Sequence, residues 1–99
     1  MSVITLKFTH EMGRASTEDR KHCTSRDERK GEIGDTFETD GTWFVLTGVL
    51  PLPLYRIGLD LYMTEGFDSP QDCIRALRTI YPYKGPDDML YTHFYRRSP

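Results

Sequence analysis

What the chain lacks narrows it first. No stretch approaches the eighteen or so consecutive apolar residues of a membrane span, and the opening residues, Met1-Ser2-Val3-Ile4-Thr5-Leu6-Lys7, lack the apolar centre of a secretory signal. The expectation is a cytoplasmic protein with no membrane partner. Only two cysteines occur, Cys23 and Cys73, and neither sits in a C-x-x-C pair, so there is no disulfide framework and both are expected as reduced thiols. The histidines His10, His22 and His93 are scattered without metal-ligand spacing. Neither a metal nor a cofactor is expected. There is no internal repeat and no low-complexity tract. Apolar residues make up 37% of the 99 residues, below the usual globular average, which predicts one domain over residues 1–99 with a small core and much exposed loop.

What is present begins with alternation. Ile4, Leu6 and Phe8 alternate with Thr5 and Lys7, the pattern of a half-buried strand over Ser2–Phe8. Thr9 is placed to cap a short helix with Met12 and Ala15 facing inward, although Gly13 weakens it. His22 to Arg26 reads as extended, and Gly31 and Gly34 mark a turn. Asp35–Thr39 alternates, and Asp40-Gly41 is a hairpin signal into the apolar run Thr42–Leu50. That run predicts either burial on both faces or a barrel corner near Gly48, with Pro51 and Pro53 ending the pairing.

Two helices and a strand complete the chain. Ile57, Leu59, Leu61 and Met63 fit a short helix between Tyr55 and Phe67, with Gly66 just past its end. Ser69 and Pro70 open a second, in which Cys73, Ala76, Leu77 and Ile80 recur at helical spacing until Pro82. Met89 to Arg96 is the closing strand. About five strands in so short a chain avoid exposed edges by closing, so the pattern favours an α+β fold: a small β-barrel with two or three flanking helices.

The chemistry gathers at Arg20-Lys21-His22-Cys23-Thr24-Ser25-Arg26 and the following Asp27-Glu28-Arg29-Lys30. Five cations stand there against two acids, in a chain whose net charge is −2. A lone basic run is more often a solvated face than a site. The order of residues adds more. Arg20-Lys21-x-x-Thr24-x-Arg26 resembles the Gly-Arg-Lys-x-x-Thr-x-Arg signature of the ASCH domain, a branch of the PUA-like β-barrels, with Asp19 standing where the family has glycine. Ile33-Gly34-Asp35 is similar to its hydrophobic-Gly-Asp turn, Glu65-Gly66-Phe67-Asp68-Ser69 to its Glu-Gly-Phe-x-Ser helix start, and Ile80-Tyr81-Pro82 onward to its ending. Aspartate tolerates a left-handed backbone better than most residues, so the turn is expected to survive at Asp19.

The resemblance implies a PUA-like barrel that binds RNA or a modified nucleoside in a basic cleft, with Arg20, Lys21, Arg26, Arg29 and Lys30 as the contacts. Small members of the family include amidohydrolases that deacetylate N4-acetylcytidine with a lysine, a threonine and a glutamate, which fall by motif position on Lys21, Thr24 and Glu65. In that role threonine needs a base to take its proton, which lysine supplies only when neutral. Residues three apart face opposite sides of a strand, so Lys21 and Thr24 share a pocket only if the chain bends near His22. The plain alternative makes Lys21–Glu65 an exposed ion pair of little value. Among aromatics able to stack a base, Tyr55 and Tyr83 compete with Trp43, which as the only tryptophan is expected in the core. A third possibility is a protein-interaction module, presenting the helix Ser69–Tyr81 or a last strand with Tyr91, Phe94 and Tyr95 exposed together.

Overall fold

The computed structural model describes residues 1–99. Its elements run α1 (His10–Thr17), β1 (Cys23–Arg26), β2 (Thr36–Thr39), β3 (Thr42–Pro53), α2 (Leu54–Leu61), α3 (Pro70–Ile80) and β4 (Met89–Arg97). The four strands form one antiparallel sheet in the order β1-β4-β3-β2, curled into a half-barrel. No helix is long and apolar enough to cross a membrane.

The expected fifth strand is absent. Residues 2–8 meet the sheet at one parallel bridge, Val3 to Thr36, with Thr36 N donating to Ser2 O and Ile4 N to Thr36 O. The alternation still holds, since Leu6 is buried and Ile4 and Phe8 are half-buried between exposed neighbours. The ladder cannot lengthen because α1 follows at once and crosses the end of β2: a Cβ on Gly13 would lie 2.9 Å from Thr39 Oγ1. The hairpin is as read. Asp40 and Gly41 have φ of +50° and +80°, the double positive turn that matches strand twist.

β3 resolves its two options in favour of the corner. The register with β4 shifts between Leu46 and Gly48, and the strand then bends away from β2. Trp43, on the outward face opposite Glu38, is 49% exposed and not in the core. Pro51 and Pro53 do not end the pairing either; they face Tyr91 and Met89 in a ladder that runs to the end of the strand. Being two apart, their ring nitrogens point the same way, and the intact ladder with β4 means that way is outward, where no donor is needed.

The core divides over the two faces of the sheet. Leu6, Phe37, Phe44, Leu46, Val49 and Tyr95 fill one face, with the Phe37 and Tyr95 rings edge to face at 5.1 Å. Leu54, Ile57, Cys73, Leu77, Tyr81 and Leu90 fill the other beneath α2 and α3. Tyr95 therefore belongs to the core, and Tyr91 and Phe94 are half-buried, so the last strand offers no exposed aromatic face. α1 and α3 begin as read: Thr9 Oγ1 accepts from Met12 N and Ser69 Oγ from Asp72 N, caps worth about 1 kcal/mol each.

Candidate functional site

The bend needed near His22 is built one residue at a time. Asp19 takes φ +60°, in the left-handed region, and ends α1; Arg20 N and Lys21 N then both donate to Ala15 O. His22 N and Cys23 N both donate to Thr64 O, tying the start of β1 to the turn that carries Glu65. Gly66, at φ +97°, closes that turn against Lys21; an added Cβ would sit 3.2 Å from Lys21 Cβ.

This brings Lys21 and Glu65 together out of water. Lys21 Nζ donates to Glu65 O at 2.8 Å and to Glu65 Oε1 at 3.0 Å, with the two side chains 4% and 3% exposed. The exposed, low-value ion pair is thereby overturned. Ser25 Oγ donates to the other carboxylate oxygen, Oε2, at 2.5 Å. A carboxylate only accepts, so the Ser25 proton is committed to it and Thr92 Oγ1, 2.8 Å away, must donate to Ser25. No buried side-chain nitrogen or oxygen is left without a partner.

β1 is an edge strand, and its free edge bounds a cavity of about 160 Å³, so side chains from both of its faces reach the opening. Lys21, Thr24, Ser25, Arg26 and Glu65 give it a polar floor, while Phe8, Met12, Phe67 and Ile80 contribute apolar walls. Thr24 Oγ1 accepts from Arg26 Nε at 3.1 Å. The same guanidinium donates through Nη2 to Lys7 O at 2.7 Å and lies 5.2 Å above the Phe8 ring. A larger, open hollow of about 530 Å³ holds Arg20 and His22 beyond Gly66, but both of those side chains are exposed.

The basic run divides accordingly. Lys21 and Arg26 enter the cavity. Arg20 pairs with Glu18 at 2.6 Å, Arg29 with Glu32 at 2.7 Å and Lys30 with Glu28 at 3.5 Å, none of them lining it. Both thiols are free and buried, and burial pushes Cys73 up to about 12 and Cys23 further, which removes them as nucleophiles.

Sequence reasoning missed Ser25, Thr92 and His93. The alternation of Ser25 with Thr24 signals a strand and carries no trace of Glu65, forty residues away. His93 is fully buried behind β1; Lys30 N donates to its Nε2 at 2.9 Å, which leaves the proton on Nδ1, facing Thr24 O at 3.3 Å. Burial holds the imidazole below its ordinary value. The folded state thus resists protonation while the unfolded chain accepts it, so His93 costs no stability above about pH 6.5 and progressively more as pH falls below it. Urea midpoints taken from pH 8 to pH 5 should decline below about 6.5, and His93→Gln should remove that slope. A wild-type midpoint flat across this window would show that the ring titrates alike in both states.

No family model matches the chain, and no curated protein matches it. Solved structures do. An ASCH domain from Lactobacillus crispatus is similar over 97% of this chain and 77% of its own, at 12% identity and a TM-score of 0.73. A protein of Enterococcus faecalis described by the family model DUF984 is similar over 98% of this chain and 75% of its own, at 15% identity and a TM-score of 0.69. The chain has the fold of the ASCH domain.

Proposed function

We propose that the chain binds a nucleoside, free or within a short single-stranded RNA, with the base entering the cavity at the edge of β1. The observation that carries this is the buried Lys21–Glu65 pair at the floor of a small cavity with apolar walls. Its volume of about 160 Å³ lies below the several hundred of most ligand sites, so it takes one ring or acyl group and leaves the remainder outside. Lys21 uses two of its three donors on Glu65, keeping one for a ligand carbonyl. Three of the five cations already hold neighbouring carboxylates, which favours a local ligand over a long polyanion.

Calorimetric titration with cytidine and with a short single-stranded RNA, at low and moderate salt, tests the reading. Nucleoside affinity should vary little with salt and weaken at least tenfold in Lys21→Ala. RNA affinity should fall with a slope of about −0.7 for each phosphate held, for one or two phosphates. Absence of binding to either ligand at low salt would remove the proposal.

A second reading, hydrolysis of an acyl amide on such a nucleoside, is favoured by the carboxylate, ammonium and hydroxyls converging on one cavity. The ASCH resemblance names Lys21, Thr24 and Glu65 for that chemistry. In this reading Glu65 moves a proton and Lys21 steadies the charge growing on the carbonyl oxygen.

A further inference from the structure

The resemblance gives the attack to Thr24, yet two hydroxyls line the cavity, Thr24 and Ser25, and they differ in their surroundings. A nucleophilic hydroxyl is recognised by donating to a base that a third group holds in place. Thr24 Oγ1 has Arg26 Nε at 3.1 Å and no contact with a base. Ser25 Oγ lies 2.5 Å from Glu65 Oε2, and Lys21 fixes the opposite oxygen of the same carboxylate at 3.0 Å. The geometry points to Ser25 as the attacking hydroxyl, with Glu65 as its general base and Thr92 as the residue that positions it; this rests on the hydrolytic reading of the site.

The hydrogen bonds around Ser25 have one direction only. Its single proton goes to Glu65, one lone pair takes the Thr92 proton, and the second lone pair is left for the acyl carbon. Ser25 is 5% exposed, Glu65 2% and Thr92 0%, so the chain of hydroxyls works where water competes least.

The reaction balances without any co-reactant but water. Ser25 Oγ forms a bond to the amide carbon as its proton passes to Glu65, and the oxygen of the tetrahedral intermediate meets the unused Lys21 donor. The C–N bond breaks, Glu65 returns the proton to the departing amino nitrogen, and an acyl-serine remains. Water then attacks that ester, giving one proton to Glu65; that proton returns to Ser25 Oγ as the C–O bond to serine breaks, and the product leaves as the carboxylic acid, which ionises in bulk water.

The test uses p-nitrophenyl acetate as acyl donor, quenched in acid during the burst, with fragmentation mass spectrometry to locate acetyl on a hydroxyl. Acetyl should appear on Ser25 in the wild type, be lost in Ser25→Ala, and return in Ser25→Cys as a thioester that hydroxylamine removes. Acetyl on Thr24, acetyl retained in this segment of Ser25→Ala, or no acetylated hydroxyl at all would overturn the assignment. Parallel assays with N4-acetylcytidine separate the two claims. Amide turnover without acetyl-Ser25 refutes Ser25 alone, whereas acetyl-Ser25 without amide turnover supports Ser25 and refutes the amide reading.

Discussion

Glu65→Gln should lower the stability of the fold by about 3–5 kcal/mol, a large share of the roughly 5–15 kcal/mol that a small domain possesses. The reason is the Lys21 ammonium. It lies out of water, 3.0 Å from the carboxylate, and loses its counter-charge while remaining buried. Lys21→Met should cost a comparable amount, because Glu65 would then keep only the Ser25 hydroxyl on its side chain. The double variant Lys21→Met/Glu65→Leu should recover most of the loss, since removing both charges also removes their desolvation cost. Urea midpoints of the four proteins decide it. Single losses under about 1 kcal/mol, or a double variant as weak as the summed singles, would mean that water reaches the pair.

The second large effect concerns turnover. If the cavity hydrolyses N4-acetylcytidine, Lys21→Ala and Glu65→Gln should each reduce kcat/KM about 10³-fold, and the double variant should fall little further. In that reaction Glu65 would move the proton and Lys21 would steady the oxyanion of the same step, so neither would work alone. Release of cytidine, followed by chromatography at a temperature where each variant is shown to be folded, gives the comparison. Losses that multiply would make the two residues independent binding contacts. Turnover surviving Lys21→Ala would place the chemistry elsewhere, and a wild type without turnover would end the hydrolytic reading for this substrate.

Much of this was legible in the residues. Helix caps at Thr9 and Ser69, the Asp40-Gly41 hairpin and the two strands it joins act over a few residues, and short-range chemistry specifies them. Strand alternation over residues 2–8 predicted which side chains turn inward, yet a ladder also needs a partner with room, and α1 takes that room. The prolines misled for a related reason: missing donors matter only on the side where a neighbour would receive them. Motif order singled out Lys21, Thr24 and Glu65, which line one cavity, but not the burial that makes the loss of either partner of the ion pair costly. Ser25 and Thr92 were invisible because each looks like an ordinary strand residue until distant segments close on it.

The outward-facing prolines also bear on how the molecules behave in a crowd. Beyond Leu46, β3 has left β2 behind, and its outer flank runs unaccompanied to Pro53, with Leu50 exposed beside it. Such a flank ordinarily invites a strand from another copy, the first step of sheet-to-sheet polymerisation. Here two of the positions that would donate to the newcomer carry a ring in place of a hydrogen, so a docking strand finds acceptors without matching donors. That flank of the half-barrel is thus capped against a second copy by two side chains that take no part in its core.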